Sequence, residues 1–198
     1  MPSRRVVIGL VALVAVGIGV SLLPARSATT QPGTFPDDWH FGRPQQRAQQ
    51  NALVGQPMPK LDLADWIGQP LTEADLKGKI VIVDFWATWC GPCLAAVPHN
   101  NEIYAKYKDK GVELIGVCTS SRDQEKMAAV AKQHNMAYPV ARDPQLASQK
   151  AWAVMWYPTY AVVDRKGTLR ALGLKPNAVD KVVDALLEEQ PATQPAVR

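Results

Sequence analysis

In the body of the chain apolar residues crowd into two short runs with a single acid in each, KIVIVDFWA at residues 79–87 and VELIGVC at 112–118. Runs of this length, rich in β-branched residues and without alternation, predict strands buried on both faces. Between them the period lengthens, and residues 92–110 predict a helix. Pro98 lies inside it and removes one backbone hydrogen bond, which kinks the helix without ending it because IYAKYK resumes the pattern. Residues 122–135 predict a second helix with Met127, Val130 and Ala131 on one side, 138–141 a short strand and 144–153 another helix. TYAVVD and GTLRALG, joined by the turn Asp164-Arg165-Lys166-Gly167, predict a hairpin, and residues 177–189 an amphipathic closing helix. Ahead of all these, VGQPMPKLDLADWIGQPLTEADLKGK breaks its apolar pieces with Pro and Gly, which suits a small N-terminal β-hairpin. Strands alternating with helices, then a hairpin and a helix, predict an α/β fold of three layers on a mixed central sheet flanked by helices.

The flanks follow a different pattern. A basic start containing Arg4 and Arg5 precedes VVIGLVALVAVGIGVSLL at residues 6–23, whose one polar side chain is Ser21. Residues 1–27 therefore read as a signal peptide or an N-terminal membrane anchor. The run is at the short end for a spanning helix, and Ala25-Arg26-Ser27 fits a small-x-small cleavage site. Either outcome sends the rest out of the cytoplasm, with the arginines on the cytoplasmic side. Residues 28–52, with QPGTFPDD and RPQQRAQQ, read as a disordered linker, 53–189 as the folded domain and 190–198 as a disordered tail.

Length and charge narrow the function. The 198 residues, 47% hydrophobic and 20% charged, fit one globular domain with appendages. Arg4, Arg5 and Arg26 supply three of the net charges in +4 and leave +1 for the remainder, so no nucleic-acid partner is indicated. Three cysteines are too few for a secreted disulfide scaffold, and two of them stand together in DFWATWCGPC.

Cys90 falls where a strand ends and Cys93 a turn into the next helix. The unpaired N–H groups and dipole of that helix favour a thiolate at Cys90, the nucleophile of disulfide exchange. Cys93 is near enough to attack the resulting mixed disulfide. Pro92 suits the first helical turn and Gly91 lets the turn tighten. A zinc half-site would need a second ligand pair, which Cys118, His40, His99 and His134 do not form, so no metal is expected. A structural staple closing so short a loop would stabilise little. Redox exchange is the reading that remains. Cys118 is expected to be a buried small hydrophobe, and the three histidines are given no role.

DFWATWCGPC, Pro98 and the dipeptide Pro158-Thr159 before a strand resemble the thioredoxin superfamily. LKGK before the first strand, the helix–strand insertion between Cys118 and Ala153, and the phrases YPV and VVDRKG are similar to its exported TlpA/ResA-like thiol-disulfide oxidoreductases over residues 53–189. The resemblance implies that Cys90 attacks, Cys93 resolves through a Cys90–Cys93 disulfide, and Pro158 is a cis-proline exposing the Tyr157 backbone to a substrate strand. Trp89, Gly91, Pro92, Trp156 and Tyr157 are the expected substrate-facing residues, with Met155 nearby. Asp84, an acid on a buried strand, is costly without a role. Its counterpart in thioredoxins moves protons at the resolving cysteine. Many TlpA/ResA-like relatives have asparagine there and a glutamate three residues past the second cysteine, where this chain has Ala96.

Gly91-Pro92 between the cysteines matches thioredoxin, near roughly −270 mV, and not strong periplasmic oxidants near roughly −120 mV. The expectation is thus an extracytoplasmic, periplasmic reductase with no cofactor beyond its redox-active disulfide. Its partners would be protein dithiol or disulfide substrates, drawn from cytochrome c maturation, copper-site assembly or general thiol repair. Its electrons would come from a membrane thiol transporter. Two rivals are a peroxiredoxin-like thiol peroxidase, whose usual Pro-x-x-x-Thr/Ser-x-x-Cys spacing is missing before Cys90, and a copper-binding or delivery module.

Overall fold

The computed structural model describes residues 35–189. Along these the chain forms α1 (Ala48–Leu53), β1 (Ala64–Ile67), α2 (Glu73–Leu76), β2 (Ile80–Trp86), α3 (Gly91–Tyr107) and β3 (Val112–Cys118). There follow α4 (Met127–Gln133), β4 (Val140–Arg142), α5 (Ala147–Ala151), β5 (Thr159–Val163), β6 (Leu169–Leu174) and α6 (Val179–Glu189). The strands make one mixed sheet in the order β1-β4-β3-β2-β5-β6, with β2 parallel to β3 and antiparallel to β5. Every residue of β2 and β3 is buried, as two-sided strands require.

Alternation along β2 sorts the core into two halves. Ile80, Ile82 and Trp86 pack with Ile103 and Tyr107 of α3, Val182, Val183 and Leu186 of α6, and both Cys90 and Cys93. Val81, Val83 and Phe85 pack on the other face with Leu76 of α2, Trp152 and Leu172. Among the described residues no helix is long and apolar enough to cross a membrane, and residues 6–23 and 190–198 lie outside that range.

The helices following β3 and β4 are shorter than their patterns predict. A turn of 3-10 helix at Gln124–Lys126 precedes α4, and α5 begins three residues after Pro144. No hairpin forms in residues 53–79. Instead β1 pairs antiparallel with β4, and Pro57 bridges to Thr168 near β6, so the segment serves both edges of the sheet.

The larger departure is in residues 28–52, expected to be a linker. From Phe35 onward this stretch is a strap along β6. Phe41 N–H donates to Gly173 O at 2.9 Å, Gly55 N–H to Leu169 O at 2.8 Å, and Leu169 N–H to Gln56 O at 2.9 Å. These bonds occupy edge groups that would otherwise be left open. Between them α1 buries Gln50, whose Nε2 donates to Ala153 O at 3.1 Å. Buried Arg47 pairs with Asp37 at 2.7 Å, and Phe35 stacks on Trp39 against the core.

Gly173 is what lets the strap close. Its φ is +83°, and a Cβ there would stand 2.6 Å from Gln50 Oε1. Gly173→Ala is expected to cost about 2 kcal/mol in urea unfolding. Combining it with Gln50→Ala should cost less than the two single changes added together, because the clash then disappears. Strict additivity would show that Gln50 does not press on Gly173.

Candidate redox site

The site sits where β2 hands over to α3. Cys90 is the N-cap residue of α3, with its backbone extended, and the Cys93 N–H donates to Cys90 Sγ at 3.2 Å. Pro92 occupies the first turn, where its missing N–H leaves no bond unmade. Cys90 and Cys93 are joined as a disulfide with Cα atoms 5.3 Å apart. Both are buried against the core, whereas Gly91 and Pro92 are exposed. An N-terminal helix end aimed at Cys90 sulfur favours its thiolate once the bond is reduced.

Two loops frame the pair. The Tyr157–Pro158 peptide is cis, and Pro158 itself is buried. Tyr157 meets Trp89 edge-on at 5.9 Å, and its hydroxyl donates to Thr119 O at 2.9 Å. Trp89 Nε1–H donates to Ser120 Oγ at 2.9 Å, while the Arg122 guanidinium lies 5.5 Å from the Trp89 ring. Trp89 and Met155, 45% and 46% accessible, are the large apolar side chains left exposed among the described residues. Trp89 makes an apolar rim with Tyr157. Trp156 differs from the expectation of a rim residue, since it turns toward the strap: its Cη2 would lie 3.5 Å from a Cβ at Gly42.

Asp84 is 2% exposed and faces the α3 side of the sheet, in phase with Ile82 and Trp86. Its Oδ2 accepts from Asn100 Nδ2 at 2.9 Å, whereas Oδ1 has no hydrogen-bond partner among the described residues. Burial pushes the carboxyl up to about 7, against the opposing pull of the Asn100 hydrogen bond and of the nearby Tyr160 hydroxyl. Such a group can take up and release a proton near neutral pH. Ala96, on the same helix, is buried and supplies no second acid.

Cys118 is a buried free thiol, and burial pushes it up to about 12, which keeps it protonated and inert. His40 lies in the strap with Nδ1 3.0 Å from Pro36 O, and His99 is 3.8 Å from Glu102. Among the described residues no three His, Cys, Asp or Glu side chains gather as a metal site. Sequence reasoning passed over Asn100, Tyr138 and Tyr160, which surround Asp84. The signal for Asn100 was present: it falls on the stripe of Cys93, Ala96, Val97 and Ile103 that α3 turns to the core.

The Asp84 carboxyl makes a stability prediction. Its ordinary value is 3.8, so between pH 4 and pH 7 the folded chain holds a proton that the unfolded chain has released. The Asp84 contribution to stability must therefore fall as pH rises through that window. Asp84→Asn is expected to gain on the wild type progressively from pH 4 to pH 7 and level off above, by on the order of 4 kcal/mol at most. A difference independent of pH in denaturant titrations would place the ionisation elsewhere.

The comparisons agree with this geometry. The redoxin family matches residues 53–187. A thiol-disulfide oxidoreductase ResA of Bacillus cereus is 34% identical over 143 residues, covering 71% of this chain and 73% of the relative. The thioredoxin-like protein YneN of Bacillus subtilis is 27% identical over 133 residues, covering 67% of this chain and 78% of that one. Among solved structures, a thioredoxin-like protein in the oxidized form superimposes with a TM-score of 0.60 at 30% identity, over 68% of this chain and 97% of that chain. With its Cys90–Cys93 pair at the head of α3, the chain belongs to the redoxin family as a thiol-disulfide oxidoreductase of the ResA type.

Proposed function

We propose that this oxidoreductase works as an extracytoplasmic reductase of disulfides in other proteins, with Cys90 as nucleophile, Cys93 as resolving thiol and Asp84 as the group that moves the proton. The observation carrying the reading is the pairing of a helix-capped Cys90 with a buried acid on the same sheet face as Cys93. The reduced Cys90 thiolate attacks one sulfur of the target disulfide, forming a mixed disulfide and releasing the other sulfur as a thiolate. Cys93 passes its proton to the Asp84 carboxylate and then attacks Cys90 sulfur. The second target sulfur leaves, and the Cys90–Cys93 bond closes. Two electrons have passed from the dithiol to the target, and an external dithiol must return them.

Trp89, Gly91, Pro92 and the Tyr157-Pro158 turn form the face that meets the substrate, and Trp156 backs it from behind. An apolar rim of this kind suits an unfolded or extended protein segment. No cofactor besides the redox disulfide enters the cycle. The basic start and the apolar run at residues 6–23 support export, with the domain either released or held by that segment near a membrane thiol donor. Clients in cytochrome c maturation, copper-site assembly or thiol repair all fit a reductase of extracytoplasmic proteins.

Insulin reduction with dithiothreitol as donor tests the chemistry. Cys90→Ser is expected to abolish turnover, and Cys93→Ser to accumulate mixed disulfides through Cys90 visible by mass spectrometry; an active Cys90→Ser protein would overturn the scheme. Equilibration with a dithiol buffer tests direction. A potential near roughly −270 mV is expected, and one near roughly −120 mV would make the protein an oxidant.

A further inference from the structure

Asp84 is held by a cluster of neutral groups that the reaction scheme above does not use. Asn100, fully buried on α3, donates from Nδ2 to Asp84 Oδ2 at 2.9 Å and to the Tyr138 hydroxyl at 3.2 Å. The Tyr160 hydroxyl donates to Asn100 Oδ1 at 3.0 Å. That last bond fixes which end of the amide is which, because an oxygen turned to Tyr160 directs the NH₂ toward the carboxylate. Three of the amide's four hydrogen-bonding directions are thus committed within the core. Asn100 also lies two helical turns beyond Cys93 on the stripe of α3 that faces the sheet.

We propose that Asn100 is the positioning residue of the proton step: by holding Asp84 Oδ2 it leaves Oδ1 as the oxygen that exchanges the proton with Cys93. This rests on the proton-transfer reading of Asp84 and deepens it. In the step, the Cys93 S–H bond breaks, an Oδ1–H bond forms, and the electron pair left on Cys93 sulfur makes the new bond to Cys90 sulfur. The mixed disulfide with the target breaks, and the target sulfur carries away its electron pair. The unpartnered Oδ1 is the observation that singles out the oxygen.

The surroundings explain why an amide is suited to this place. Facing the carboxyl are Asn100 from α3, Tyr160 from β5 and Tyr138 from the segment before β4. The residue abreast on β3 is Gly116, and α6 contributes valines to the same cluster. Among the described residues no lysine, arginine or histidine acts on Asp84, so the Asn100 hydrogen bond and the nearby Tyr160 hydroxyl are what favour its charged form. Both tyrosine hydroxyls are themselves pushed up by burial and stay neutral, Tyr160 donating to Asn100 Oδ1 and Tyr138 accepting from Asn100 Nδ2.

The test follows the Asp84 carboxyl by carbon NMR in the oxidised protein, beside the pH–rate profile of insulin reduction, in the wild type, Asn100→Leu and Tyr160→Phe. Loss of a donor to the charged form should move the titration of Asn100→Leu to higher pH by about one unit. The rate profile should move with it, lowering the rate at neutral pH by roughly fivefold. Tyr160→Phe, which deletes one hydroxyl and keeps the ring, should move both in the same direction by less, and it carries the comparison if Asn100→Leu does not fold. A titration that stays in place in the folded variants would overturn the role of Asn100. A titration that moves while the rate profile stays would leave Asn100 holding the carboxyl but overturn the proton step itself.

Discussion

A carboxyl group in the middle of the central strand is the constraint around which the site is arranged. Asp84 lies on β2 with β3 on one side and β5 on the other, so neither sheet edge can bring it water. Burying an ion there unaided would cost several kcal/mol. The chain answers with polar groups from the layers around it: an amide from α3 and two phenols from the sheet side. The amide holds the carboxyl and the phenols hold the amide, without a cation among the described residues to neutralise the group. The carboxyl is consequently left near pH 7, where both of its protonation states are populated.

The thiol pair is built by the same strand one step further on. β2 ends at Trp86, and the short turn to Cys90 delivers a sulfur to the start of a seventeen-residue helix. Long α3 then carries Cys93 and Asn100 on one face, so a single helix supplies the second sulfur of the pair and the amide that holds the acid. The opposite wall is the 153–158 loop, and it is buttressed by the strap: Gln50 bonds Ala153 O and Gly42 gives room to Trp156. Residues 35–52 of the strap, with Gly42 and Gln50 among them, precede the residues matched by the redoxin family.

What the sequence made legible follows from how each element earns its stability. β2 and β3 are read from their apolar runs because burial on both faces leaves no other composition open to them. The β5–β6 hairpin is read from its turn, where Asp164 Oδ1 accepts from the Lys166 and Thr168 N–H groups. The strap was illegible because it docks through polar atoms. Arg47 and Gln50 are buried by pairing with Asp37, Asn51 and a main-chain carbonyl, and hydropathy reads such residues as solvent-facing. The expected N-terminal hairpin failed for a related reason. Its apolar pieces find partners at β4 and β6, far away in sequence, and local alternation does not encode that choice. In the site, Cys90, Cys93 and Asp84 stand out by residue type, whereas Asn100 had to be recognised as a polar residue on a buried stripe.

In the proposed cycle the direction of electron flow does not come from Asp84. Oxidation of the dithiol requires the acid to accept a proton from Cys93, and reduction of the disulfide requires it to give one back. A carboxyl near 7 serves both equally at neutral pH, since each protonation state is well populated. Lowering it would leave no acid for the reductive half, and raising it would leave no base for the oxidative half. Asp84 therefore sets how fast the couple turns over. The equilibrium is set where the sulfur charge sits, at the N-terminus of α3 with Gly91 and Pro92 in its first turn, because stabilising the Cys90 thiolate stabilises the reduced form. Rate and direction are in this way assigned to two ends of one short path, the strand that carries the acid and the helix that caps the thiol.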